Sequence, residues 1–139
     1  LIGAGQRCLE LACQRVEDRE TFGKKLSQHQ SIRENIAKSY AELEMARLLV
    51  HKTCWHIDHH GVKPSIELIS ATKISVPLMI QAIIDRCMQM HGAGGLTEDW
   101  CMAEQFNYAR WCRQADGPDE VHQMALGKRI IQQYAEASN

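Results

Sequence analysis

Apolar residues recur at three- and four-residue intervals along most of the chain. Over residues 1–18, Ile2, Leu9, Cys13 and Val16 fall at helical spacings, which predicts a first helix. The polar stretch "RETFGKKLSQHQ" interrupts the pattern and is broken by Gly23. A second helix is predicted over 27–60, with Ser27 as its N-cap. Its apolar face would carry Ile32, Ile36, Tyr40, Leu43, Ala46, Val50 and Trp55. "HHGVKP" then reads as a stop, with His in the last turn, Gly61 just past the end and Pro64 beyond it. A third helix is predicted over 65–90, with Pro77 inside it as a candidate kink. After "HGAGGLTED", a fourth is predicted over 98–113 and a last over 118–135. No segment shows a convincing period-2 alternation. The predicted fold is all-α, an antiparallel up-and-down helical bundle. "EMARLLVHKTCWHI" and "ISVPLMIQAIIDRCM" are apolar over broad faces, which predicts oligomer contacts as well as an internal core.

Composition changes this picture little. A length of 139 residues suits one domain with a sizeable core. Three prolines and 6% aromatics favour helix. A net charge of −1 argues against nucleic-acid or anionic-membrane binding. None of the cysteines forms a Cys-x-x-Cys pair, and they read as reduced, packed thiols of an intracellular protein. No signal peptide and no apolar run of bilayer length is apparent. The chain begins without Met and already in a helical pattern, so the expectation is a single domain, 1–139, from the C-terminal part of a longer protein.

Four stretches carry candidate chemistry. His51, His56, His59 and His60 crowd the end of the second helix, and His56 and His60 are spaced as metal ligands on one face are. Without an H-E-x-x-H motif, the favourable placement of such groups at a helix C-terminus explains them as well, and no metal site is assigned. "RETFGKKLSQHQ" joins Arg19, Lys24 and Lys25 to Phe22, a set that suits a pyrophosphate and a packed ring, or simply a solvated basic loop. "QMHGAGGLTED" offers unobstructed backbone N–H groups, or an ordinary glycine-capped connection. In "ADGPDEVH", Pro118 at N1 after a Gly117 N-cap and the acids Asp119 and Glu120 are helix-start signals. Asp116 stands outside that helix and is free to meet a substrate.

In this order the pieces resemble the C-terminal domain of the acyl-CoA dehydrogenase family. "RETFGKKLSQHQ" matches the family's R-x-x-F-G-x-x-L-x-x-H-Q pattern, "QMHGAGG" its Q-x-x-G-G-x-G region, and "ADGPDEVH" the place where many members have Y-E-G-T-x-Q. The resemblance covers essentially the whole chain. "DGPDEVH" looks most like the branch of family members 10 and 11. The resemblance implies FAD as cofactor and oxidation of fatty acyl-CoA to trans-2-enoyl-CoA. In that reaction a carboxylate removes the α-proton while the β-hydrogen leaves as hydride to the flavin. Asp116 matches the position of the base and Gly117 a residue against the substrate. Arg19, Thr21, Phe22, His29 and Gln30 match positions that touch FAD, in the family that of a neighbouring subunit. Gln89, Met90, His91, Gly92 and Ala93 match the stretch at its adenosine-diphosphate end, and Pro118, Asp119 and Glu120 residues near the flavin. Pro118, Glu120 and Ala93 depart from common family residues, and Ala115 replaces the usual Tyr before the base. Also implied are a homodimer or homotetramer, an electron-accepting flavoprotein partner, and a mitochondrial or peroxisomal location in a eukaryote or a cytoplasmic one in a bacterium. The competing expectation is a non-catalytic helical oligomerisation module.

Overall fold

The computed structural model describes residues 1–137. Five α-helices account for nearly all of it: α1 Ile2–Asp18, α2 Gln30–His60, α3 Ile66–His91, α4 Met102–Cys112 and α5 Asp119–Ala137. Cross-links show the antiparallel order. Between α2 and α3, Thr53 meets Thr72 at 2.7 Å while Ser39 accepts from Arg86 at 2.8 Å. Between α3 and α5, Lys73 reaches Gly117 while Glu67 pairs with Arg129. The fold is therefore the all-α antiparallel bundle that the pattern predicts.

α3 is the central element, packed by α1, α2, α4 and α5. Ile80, Ile83, Ile84 and Cys87 are fully buried on it, and Cys8, Leu43, Ala46, Met102 and Ala109 close around them. Pro77 sits inside α3 and is buried. Its missing N–H costs one helical hydrogen bond, a loss that tertiary packing of the helix offsets. Arg86, little exposed, donates to both Ser39 and the Glu42 carboxylate, tying α2 to α3. Within Lys63–Leu96 an 18-residue window of mean hydropathy 1.4 is apolar enough to cross a membrane, where the sequence expectation was none. From this segment Val76, Ile80, Ile83, Ile84, Cys87 and Met90 belong to the core of the bundle, while Leu78 and Leu96 are exposed.

Several predicted boundaries shift. α2 begins at Gln30, not at Ser27, because Leu26–Gln28 forms a 3₁₀ turn and no side chain caps the helix. Residues 98–101 are not helical. Thr97 Oγ1 donates to Gly94 O and to Asp99, a local arrangement that competes with helix. The strands missed from sequence are Glu20–Thr21 (β1) and Lys24–Lys25 (β2), paired antiparallel. Phe22 and Gly23 both have positive φ, 52° and 77°, the combination that a two-residue hairpin turn uses. Tyr40 and Trp55 are 61% and 56% exposed, so the predicted α2 face is only partly buried within this chain. All six cysteines are free thiols. Burial pushes Cys8 and Cys87 up to about 12, but Cys54 is exposed rather than packed.

Candidate active site

The corner between α4 and α5 carries Asp116. α4 unwinds through tight turns in which the amides of Gln114 and Ala115 both donate to Trp111 O. Asp116 then takes φ 55° and Gly117 φ 101°. Asp tolerates the left-handed region better than most residues, but a non-glycine there is worth relating to function. A Cβ on Gly117 would come within 3.2 Å of His122 Nε2, a tight approach, and the φ of 101° itself favours glycine. Gly117 does not cap α5 as predicted. The helix starts at Asp119, and Pro118 lies just before it, its carbonyl accepting from Val121 N.

Side chains from three elements hold this corner. Lys73 Nζ, on α3, donates to Cys112 O at 2.6 Å and Gly117 O at 3.2 Å. Arg113 Nε donates to Asp119 Oδ2 at 2.7 Å, and its Nη1 donates to Gln81 Oε1. His122 Nε2 donates to the backbone carbonyl of Asp116 at 3.1 Å, which assigns the proton to that nitrogen. Asp119 is thus buried and paired, with Oδ1 left without a partner, whereas Glu120 is exposed. The Asp116 side chain remains exposed on the rim of a cleft of about 450 Å³. Leu1, Val76, Pro77, Tyr108 and Trp111 make that cleft largely apolar, and Lys73 also lines it. The rings of Tyr108 and Trp111 stack with centroids 5.7 Å apart. A cleft of this kind suits an apolar chain beside a reacting carboxylate.

The remaining predicted residues gather at the other end of α3. The hairpin that follows α1 lifts Phe22 to 98% exposure, with Arg19 exposed beside it and Thr21 half-buried. His29 Nε2 is buried without a partner, and Gln30 donates to Glu34. At the end of α3, Gln89 is exposed while Met90 and His91 are buried. Gly92 has φ 65°, with open space where a side chain would sit, and Ala93 is exposed. Lys73 and His91 are 18 residues apart, about 27 Å along the helix. The structure therefore brings Arg19–Gln30 and Gln89–Ala93 towards one end and leaves Asp116–Glu120 well away from them.

His91 Nδ1 donates to Cys87 O at 2.9 Å, so its Nε2 is a bare acceptor, buried and unpartnered. The ring stands edge-on to Trp100. Burial, reinforced by the Arg15 charge, outweighs that bond and holds the imidazole below its usual 6.5. The folded chain therefore binds fewer protons here than the unfolded chain as pH falls through 6.5. The resulting stability is present above that pH and is lost below it. His91→Phe is expected to make the fall in melting temperature on acidification below pH 6.5 shallower. An unchanged slope in paired melts would refute this.

Lys73, His122, Tyr108 and Trp111 were not singled out in the sequence. Only Lys73 gives a signal there, as a cation in the apolar run "ISATKISVPLMI". In the histidine cluster, His56 Nδ1 meets Ser65 Oγ at 2.7 Å and His59 Nδ1 meets Trp55 O at 2.8 Å. Among the described residues no three His, Cys, Asp or Glu side chains converge as metal ligands.

Residues 1–131 match the family model for the acyl-CoA dehydrogenase C-terminal domain. Mouse acyl-CoA dehydrogenase family member 10 is 44% identical over 92% of this chain, which spans 12% of that protein. A solved putative acyl-CoA dehydrogenase from Mycobacterium abscessus superposes with TM-score 0.93 at 38% identity, covering 96% of this chain and 33% of its own. A glutaryl-CoA dehydrogenase from Mycobacterium smegmatis, solved in complex with FADH2, gives TM-score 0.87 at 29% identity over 93% of this chain and 33% of its own. Fold, ordered motifs and relatives agree: the chain belongs to the acyl-CoA dehydrogenase family, as its C-terminal helical domain.

Proposed function

We propose that this chain serves an FAD-dependent dehydrogenase of fatty acyl-CoA thioesters, supplying the catalytic carboxylate and part of the flavin site. The observation that carries the reading is Asp116, held outside any helix in a left-handed conformation on the rim of an apolar cleft. FAD, when bound, would supply the acceptor for the β-hydrogen, which leaves as hydride. Asp116 takes the α-proton, so the loss of both leaves the trans-2 double bond. The α-proton of a thioester is weakly acidic, and a base of useful strength needs a dry site. Asp116 is exposed within these residues, so its water-excluding wall must come from outside them. Tyr108 and Trp111 line the acyl side, and Ala115 leaves room there.

The flavin assignments have a physical basis. Arg19 offers a fork of donors for a pyrophosphate and Phe22 a bare ring face. His91 Nε2 is a buried acceptor awaiting a donor, His29 Nε2 is buried without a partner, and Gly92 leaves space for close approach. The distance between this end and Asp116 supports the family arrangement in which the patch serves the FAD of a neighbouring subunit. Gln30, Gln89, Met90, Ala93, Thr21, Pro118, Asp119 and Glu120 are assigned to FAD by resemblance, and Gly117 to substrate. The proposal extends to a homodimer or homotetramer, an electron-accepting flavoprotein partner and a mitochondrial or peroxisomal location in a eukaryote.

A second reading, a non-catalytic assembly module, draws on the exposed apolar residues Tyr40, Leu48 and Trp55 of α2 and Met124, Ile131 and Tyr134 of α5. The test uses the full-length protein with FAD, a series of acyl-CoA chain lengths and an artificial electron acceptor. Enoyl-CoA formation by that protein, with no turnover by the 139-residue chain alone, is the expected result. Turnover by the isolated chain would refute the division of labour. Failure of the full-length holoprotein on every acyl-CoA would favour the assembly module.

A further inference from the structure

We propose that Lys73 is a positioning residue that holds the Asp116 carboxylate through the backbone of its turn. The inference rests on the assignment of Asp116 as the base. Lys73 is a half-buried cation in the apolar run "ISATKISVPLMI" of the central helix. A lysine near a helix C-terminus commonly satisfies a last-turn carbonyl, and the bond to Cys112 O at 2.6 Å is of that kind. The bond to Gly117 O at 3.2 Å is not, because Gly117 lies beyond α4 and before α5. The same ammonium therefore bridges both ends of the 113–116 turn. His122 holds the carbonyl between them, at Asp116 itself. Both Asp116 and Gly117 have positive φ, and these bonds hold the carbonyls at and on either side of Asp116.

Lys73 also lines the cleft that Asp116 borders. Two of its three donors are engaged by the turn. Its role is to fix where the carboxylate stands, without touching the reacting atoms. Small misplacements of a reacting group cost about 100-fold in rate.

The test compares Lys73→Met and Lys73→Arg with the unmodified full-length holoprotein. For Lys73→Met, kcat is expected to fall about 10- to 100-fold with KM for acyl-CoA nearly unchanged. The α-deuterium isotope effect on kcat should rise. Amides of Gln114, Ala115 and Asp119, now bonded within the corner, should exchange faster with solvent. Lys73→Arg keeps charge and donors and should restore part of kcat and bring the isotope effect back down. Equal losses of activity and melting temperature in both variants, with an unchanged isotope effect, would reduce Lys73 to a structural residue. A rise in KM alone would make it a substrate contact, and either result overturns the proposal. Retained turnover in Asp116→Asn would instead sink the base assignment, while the exchange comparison still decides whether Lys73 holds the turn.

Discussion

Asp116→Asn is expected to lower acyl-CoA turnover by about 10³-fold, within the range that removal of a general base produces. The substitution is close to isosteric. Asn occupies the left-handed region as readily as Asp, so the φ of 55° remains accessible. No hydrogen bond among the described residues involves the Asp116 carboxylate, so none is lost. The backbone carbonyl still accepts from His122. What disappears is the capacity to take a proton. The variant should keep its fold and its bound FAD while washout of α-deuterium from substrate stops together with acceptor reduction. Asp116→Glu separates chemistry from reach. One added methylene moves the carboxylate by about one C–C bond. Partial activity in that variant is the expected result. Turnover of Asp116→Asn within tenfold of the unmodified protein would remove Asp116 as the base.

How much of this was legible before folding depended on the range of the interaction concerned. The helices were legible because burial against one neighbour imposes a 3.6-residue period, and α1 and α3 emerge within a residue of the expected bounds. Gly61 marks the end of α2 because its φ of 82° is a local requirement. The Asp116 corner was legible for the same reason, since Gly117 and Pro118 punctuate the chain there. The hairpin around Phe22 was not, because two-residue strands have no period to detect. Tyr40 and Trp55 were placed on a buried face by their period, yet the described residues leave them 61% and 56% exposed. Period reports that a face is apolar, not what lies against it. The role of Lys73 depends on partners 39 and 44 residues away and is a property of tertiary structure.

The largest stability effect is expected at the centre of α3. Ile84→Ala should destabilise the fold by about 2–5 kcal/mol, since it removes a fully buried side chain and leaves a cavity. The high end of that range is expected because Ile80, Ile83 and Cys87, also fully buried, surround the site on the same helix. Close-packed neighbours on α1, α2 and α4 leave little freedom to collapse into the void. Leu78 provides the control on the same helix. It is 39% exposed, so Leu78→Ala removes less apolar contact and creates no enclosed cavity. Its expected cost is below about 1.5 kcal/mol. Urea unfolding of the two variants should show a lower midpoint for Ile84→Ala with an unchanged slope, because the surface exposed on unfolding hardly differs. Domains of this kind are stable by only about 5–15 kcal/mol, so this one change removes a large part of the total. The functional consequence follows from position. α3 also carries Lys73 and Gln81, which hold the Asp116 corner, and Gln89–Gly92 at the proposed flavin end. Loosening α3 at Ile84 is therefore expected to lower both FAD retention and turnover as temperature rises. Asp116→Asn should lower turnover about 10³-fold at every temperature and leave retention intact. Equal stability of the two isoleucine and leucine variants would refute the central role assigned to α3.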